Sequence, residues 1–194
     1  MPRRGTLVVN AREIERVFLL DRMPEEIPEA ILEQAETWLV EQGYFAPPPE
    51  STSASVEPGP EGRIRRVRLP DGSEVFTHTI KSGVGLVREE HERVIPSEEF
   101  RELWPLTRGR RLRKTRLRID VAGQVWELDR FHGLDSELVL AEAELPAVDT
   151  PLVVPPWIGR HVVREVTEEP QFRNFHLARS AGLPGLPGLP GLED

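Results

Sequence analysis

Residues 13–18 read Glu13-Ile14-Glu15-Arg16-Val17-Phe18. As a strand, the segment puts Glu13, Glu15 and Val17 on one face and Ile14, Arg16 and Phe18 on the other, because side chains alternate with a period of two. Two carboxylates about 7 Å apart on one face can share a hard cation. A strand edged with glutamate is also an ordinary solvated face, so the pair gains meaning only because the pattern recurs further along the chain.

Working outward, residues 1–10 form a lead-in and the first strand is expected over 11–20. Residues 28–42 read as a helix: Ile27, Ala30, Ile31, Ala35, Trp38 and Leu39 recur at spacings of three and four, Pro28 suits the first turn and Gly43 the end. Residues 46–62 are rich in Pro, Ser, Gly and Glu and read as a mobile loop. Strands then follow closely, at 63–69, 74–81 and 86–95, joined by turns at Pro70-Asp71-Gly72 and Ser82–Gly85. Ser97 is the expected N-cap of a short helix reaching Trp104 and closed by Pro105. Strands resume at 111–121, 124–131 and 137–145, and a short helix is expected around 171–179. Residues 179–194, with three Gly-Leu-Pro triplets, are expected to be a disordered tail. The fold class is therefore mainly β (α+β): a curved antiparallel sheet or closed barrel with a few helices packed outside.

Composition narrows the function. The 194 residues and 22.0 kDa suit one domain with a real core. A net charge of −8 argues against a general nucleic-acid partner. No cysteine is present, which excludes disulfides, thiolate metal sites and thiol nucleophiles. No run of eighteen apolar residues or signal-peptide core occurs, so no membrane association is expected and a cytoplasmic address is. Of 25 basic residues only Lys81 and Lys114 are lysine. The five histidines share no spacing, and no Gly-rich phosphate loop is present.

Charge is segregated by strand. Arg66 and Arg68 share one face, as do Lys114, Arg116 and Arg118; Glu90 and Glu92 are in phase, as are Glu127 and Asp129, and Glu142 and Glu144. Turned inward, these rows would line a barrel lumen, at a cost unless a ligand compensates the charges. Divalent cations answer the carboxylates and a polyanion answers the bases, so a metal-bound polyphosphate answers both. The same pattern also suits a sheet with one wet face and cross-strand ion pairs of about 0.2–1 kcal/mol each.

With these residues assembled, the sequence resembles the CYTH family of triphosphate tunnel enzymes, which includes inorganic triphosphatases, thiamine triphosphatase and class IV adenylate cyclases. Glu13-Ile14-Glu15-Arg16-Val17-Phe18 resembles the opening Glu-x-Glu-x-Lys motif, and matching segments follow in order: Arg66-Val67-Arg68, Thr79-Ile80-Lys81, Arg88 to Glu92, Lys114-Thr115-Arg116, Glu127 to Phe131, Glu142-Ala143-Glu144, and Glu165-Val166-Thr167 with Phe172-Arg173-Asn174. The match spans residues 11–178. The resemblance implies a closed eight-stranded antiparallel tunnel, with Glu13, Glu15, Glu90, Glu92, Asp129, Glu142 and Glu144 as ligands of Mg²⁺ or Mn²⁺ and Glu127 beside them. It implies that Arg66, Arg68, Lys81, Lys114, Arg116 and Arg173 cradle the triphosphate, with Glu13, Glu15, Lys81 and Lys114 carrying catalysis. The expected activity is hydrolysis of a small-molecule triphosphate, with inorganic triphosphate favoured, by a monomer or homodimer. Thiamine or nucleoside triphosphatase, adenylate cyclase and a non-catalytic polyphosphate or nucleotide sensor are the alternatives. One departure stands out: Val17 occupies the position of the motif lysine, removing a cation from the expected lumen.

Overall fold

The computed structural model describes residues 8–46, 61–82, 87–133 and 137–180, and side chains for 14–46, 62–80, 91–133 and 137–179. The expected loop, the Ser82–Gly85 turn and the Gly-Leu-Pro tail fall almost entirely outside these residues. Among the described residues nine strands carry the fold: β1 Val8–Leu20, β2 Glu36–Tyr44, β3 Glu61–Arg68, β4 Glu74–Ser82, β5 Val87–Val94, β6 Arg111–Val121, β7 Gln124–His132, β8 Val139–Glu144 and β9 Val162–Glu165. Short helices accompany them: α1 Glu29–Leu32, α2 Ser97–Leu103, α3 Pro156–Gly159 and α4 Asn174–Ser180.

The strands follow the order β5-β4-β3-β2-β6-β7-β8-β1-β9, every pairing antiparallel. The long first strand joins both ends of this order. Its residues Val8–Ile14 pair with β5 and its residues Glu15–Leu20 with β8, so the pairing runs round eight strands and returns to β1. The remaining strand, β9, lies against Phe18–Leu20. This is the eight-stranded antiparallel tunnel that the resemblance implied, with one strand added.

The largest correction concerns residues 28–42, which are not one helix. Only Glu29–Leu32 are α-helical, and from Glu36 the chain is a strand paired on both sides, with β3 and β6. Two ladders of backbone hydrogen bonds, and burial of Val40 to Tyr44 on alternate faces, override the helical spacing of the apolar residues. Gly43 does not stop a helix. It lies so close to the Thr107 side chain that an added Cβ would collide with it. A smaller correction applies to α2, where Pro96, not Ser97, is the N-cap residue. Pro105 sits inside a following 3-10 turn, Trp104–Thr107, instead of ending the helix.

The two faces of the sheet are apolar in different places. Phe18, Leu20, Ile119, Trp126, Leu128, Val139, Ala141 and Ala143 form an outer core covered by Trp157 and Ile158 of α3 and by Ile31 of α1. A second outer core joins Ile64 and Phe76 to Phe100 of α2 and to Trp104. On the opposite face, Tyr44, Leu112, Phe131 and Leu140 pack against Leu177 and Ala178 of α4, with Phe175 edge-on to Tyr44 at 5.5 Å between ring centroids. That inner face also carries the charged rows, so α4 closes one end of it.

Candidate functional site

Registers define which residues line the inside. Starting from Arg116, cross-strand partners on the same face are Asp129 on β7 and Trp38 on β2; Glu127 leads to Glu142 on β8, and Glu142 to Val17 on β1. In the other direction, Gln42 on β2 leads to Arg65 on β3, then Thr77 on β4. Arg65 is close enough to Arg116 and Glu127 to feel their charges, although β6 and β7 are two and three steps from β3 in the strand order. Only a sheet curled with this face inward brings them together.

One wall of the interior is a dense ionic network. Lys114 Nζ donates to Asp129 Oδ2 at 2.5 Å, and Arg116 donates through Nε to Asp129 Oδ1 at 2.7 Å and through Nη2 to Oδ2 at 2.6 Å. Arg116 also donates to Glu142 Oε2 at 2.8 Å and pairs with Glu127, which Arg118 approaches at 3.5 Å. Lys114 and Asp129 are 1% and 0% exposed, so these charges survive through mutual pairing alone. Burial by itself would raise the Asp129 carboxyl, but Arg116 and Lys114 outweigh it and hold it at about 2. Burial pulls the Lys114 ammonium below its ordinary range, helped by neighbouring Arg116 and opposed by Asp129 and Glu142. Glu127 moves the other way: burial raises it, Arg116 resists, and the like charges of Glu142, Asp129 and Glu144 raise it further.

The facing wall is basic. Arg65 donates to Glu92 Oε2 at 3.0 Å, Arg63 lies 3.8 Å from the same oxygen, and Thr79 donates to it at 2.6 Å. Burial, followed by repulsion from Arg63, lowers the Arg65 guanidinium below its ordinary range. Its Nε is buried with no hydrogen-bond partner among the described residues, as is the Thr77 hydroxyl opposite it in the β3–β4 ladder.

Most residues expected at the site gather here. Glu15 lies opposite Glu144, and Glu92, Lys114, Arg116, Asp129 and Glu142 occupy the inner face. Glu13, Lys81 and Glu90 lie in β1, β4 and β5, with Lys81 opposite Glu90; their side chains fall outside the described set. Arg173 precedes α4, next to Asn174, whose Oδ1 lies 3.5 Å from Lys114 Nζ.

Arg66 and Arg68 are a correction. The β3 register places them on the outer face, where Arg66 donates to Glu41 at 2.8 and 2.5 Å and Arg68 to Glu74 at 3.0 Å. Their inner counterparts are Arg63 and Arg65. The segment Arg63-Ile64-Arg65-Arg66-Val67-Arg68 has arginine on both phases, so alternation alone selects neither pair; the pairing of Gln42 with Arg65 and of Glu41 with Arg66 does. Sequence reasoning also passed over Glu41, which the helical reading hid, and Thr77, whose threonine-rich strand gave no charge signal.

A wall of paired acids and bases facing a second, basic wall inside an antiparallel barrel suits a polyanion whose charge is shared with cations. No family model matches the chain. Individual relatives do: it is 37% identical over 171 residues to an inorganic triphosphatase of Nitrosomonas europaea, covering 87% of this chain and 97% of the relative. An inorganic triphosphatase of Acetivibrio thermocellus is 36% identical over 104 residues, covering 53% of this chain and 64% of the relative. Among solved structures, the crystal structure of the inorganic triphosphatase NE1496 superposes with a TM-score of 0.56 at 32% identity, covering 91% of this chain and 97% of that one. The chain belongs to the CYTH family of triphosphate tunnel enzymes.

Proposed function

We propose that this protein hydrolyses inorganic triphosphate to diphosphate and phosphate within the tunnel, with a divalent cation. The observation that carries this reading is the convergence of Arg65 with Arg116 and Glu127 from strands far apart in the pairing order. The named activity of the Nitrosomonas europaea relative supports it.

The chain's own groups account for most of what phosphoryl transfer demands, which is positioning and charge neutralisation. Arg63 and Arg65 on one wall and Lys114 and Arg116 on the other present donors to phosphate oxygens from two sides, the guanidinium groups with bidentate geometry. Asp129 and Glu92 hold those bases in place through the bonds described above. Burial strengthens each interaction by excluding water. Water is the nucleophile, since no activated side chain is needed.

For Mg²⁺ or Mn²⁺ the fit rests on the chemistry of the donors, hard carboxylate oxygens brought onto neighbouring strands by the register. Glu15 faces Glu144 and Glu127 faces Glu142 in adjacent ladders, and the Glu127 carboxyl is raised first by burial and then by the like charges of Glu142, Asp129 and Glu144, against Arg116. Among the described residues no three such side chains are already arranged to hold a metal ion; by donor chemistry and register, Glu15, Glu142 and Glu144, with Glu127 beside them and Glu13 in the same strand, are the residues that would form the holding set. Bound there, the cation would supply Lewis-acid neutralisation of phosphate oxygens.

A second reading, binding of polyphosphate without turnover, is favoured by Val17, which is apolar and faces Glu142 on the inner wall. Phosphate release from inorganic triphosphate across several divalent cations separates the two: hydrolysis supports the enzyme, and binding without release supports the sensor. No helix among the described residues is long and apolar enough to cross a membrane. We place the protein in the cytoplasm as a monomer or homodimer.

A further inference from the structure

Among the buried polar atoms of the β3–β4 wall that lack a hydrogen-bond partner among the described residues, two stand directly opposite each other. Thr77 is 5% exposed, its hydroxyl is fully buried, and that hydroxyl has no hydrogen-bond partner among the described residues. Directly opposite it in the ladder, the Nε of Arg65 is in the same condition, although the far end of the same guanidinium reaches Glu92. Both residues lie on the strand face that carries the charged rows. A buried donor left unsatisfied carries a desolvation cost, and native proteins seldom leave two side by side without a use. Arginine and threonine in adjacent strands present an N–H and an O–H within reach of a single tetrahedral anion.

We propose that Thr77 is a substrate-binding residue whose hydroxyl, together with the Arg65 Nε–H, donates to oxygens of one phosphate group of the bound triphosphate. The inference rests on the triphosphatase reading above and extends it to a neutral donor. Glu92 holds the Arg65 guanidinium by its Nη2, while Nε has no hydrogen-bond partner among the described residues. Thr79, two residues on along β4, is by contrast committed to Glu92 at 2.6 Å and is not available for the same task.

Thr77→Val tests this, because valine keeps the β-branched shape and suits a strand while removing only the hydroxyl. Melting temperature with and without inorganic triphosphate, and kcat and KM at fixed divalent cation, are compared for the wild type, Thr77→Val, Thr77→Ala and Thr77→Ser. The ligand-free melting temperature of Thr77→Val should equal or exceed that of the wild type, since an unsatisfied polar group has been removed. Its KM should rise about tenfold with kcat within about twofold, and the triphosphate-induced shift should shrink. Thr77→Ala must give the same KM change through different packing, and Thr77→Ser must stay near wild type. Unchanged KM and shift in both Thr77→Val and Thr77→Ala would overturn the proposal, as would a lowered ligand-free melting temperature with KM unchanged. A wild-type protein that neither shifts nor turns over would overturn the triphosphatase reading itself.

Discussion

Arg116 and Asp129 face each other across the β6–β7 ladder and are joined by two hydrogen bonds, of 2.7 and 2.6 Å, with Asp129 fully enclosed. The carboxylate is thus the anchor of the ionic network that holds Lys114 and Arg116. Replacing it by the neutral amide of asparagine would leave Lys114 and Arg116 facing each other with their shared counter-charge removed, and breaking one partner of a buried pair costs roughly 3–5 kcal/mol. Asp129→Asn should therefore lower the melting temperature by several degrees, measured by calorimetry.

The same carboxyl dictates an acid limb. Its folded value of about 2 lies below the ordinary 3.8, so its stabilisation is present above pH 3.8 and is lost as pH falls from there through about 2. The linked contribution is about 2 kcal/mol. Denaturant unfolding of the wild type between about pH 5 and pH 2 should show this loss, and Asp129→Asn should lack that component.

Glu127 runs in the opposite sense. Its raised carboxyl binds a proton at pH values where ordinary glutamates do not, and a divalent cation must displace that proton. Stabilisation by Mg²⁺ or Mn²⁺ should therefore weaken on acidification at a pH above the ordinary glutamate range. A thermal-shift titration from about pH 8 to pH 4 reads this directly, and Glu127→Gln should flatten the dependence.

Val17 sits opposite Glu142 and at the margin of the apolar cluster under α4. A lysine there reaches an acid that Arg116 already shares, adding a cation to the ionic network. Val17→Lys should lower KM for inorganic triphosphate about fivefold to tenfold, an effect typical of one added charge-assisted bond, while costing about 1 kcal/mol in packing.

Glu142→Gln with Glu144→Gln removes two donors of the proposed cation set with little change in side-chain volume. Metal-stimulated phosphate release should fall by about a hundredfold or more, and the melting temperature without metal should drop by a few degrees, because Arg116 loses the charge of its buried Glu142 partner.

The strand rows and the barrel were legible because alternation in β6, β7 and β8 is clean: Lys114, Arg116 and Arg118 take one face while Leu117 and Ile119 take the other, and Glu142 and Glu144 alternate with Ala141 and Ala143. Two places were not legible, for different reasons. In β2 a helical spacing of apolar residues arose by chance in a segment whose strand character comes from ladders on both sides, which local sequence does not record. In β3 four arginines occupy both phases, so the inner pair follows from the register with β2 and β4. Thr77 was invisible because a buried hydroxyl becomes notable only when its missing partner is known.

The central claim is that catalysis belongs to the concave face. Its most direct test is kcat/KM for phosphate release from inorganic triphosphate in Arg65→Ala and Arg68→Ala, two arginines on opposite faces of β3. Arg65→Ala should lose about a hundredfold or more, whereas Arg68→Ala, which forfeits only an exposed pair with Glu74, should stay within about twofold of wild type. A loss in Arg68→Ala with Arg65→Ala unaffected would contradict the account.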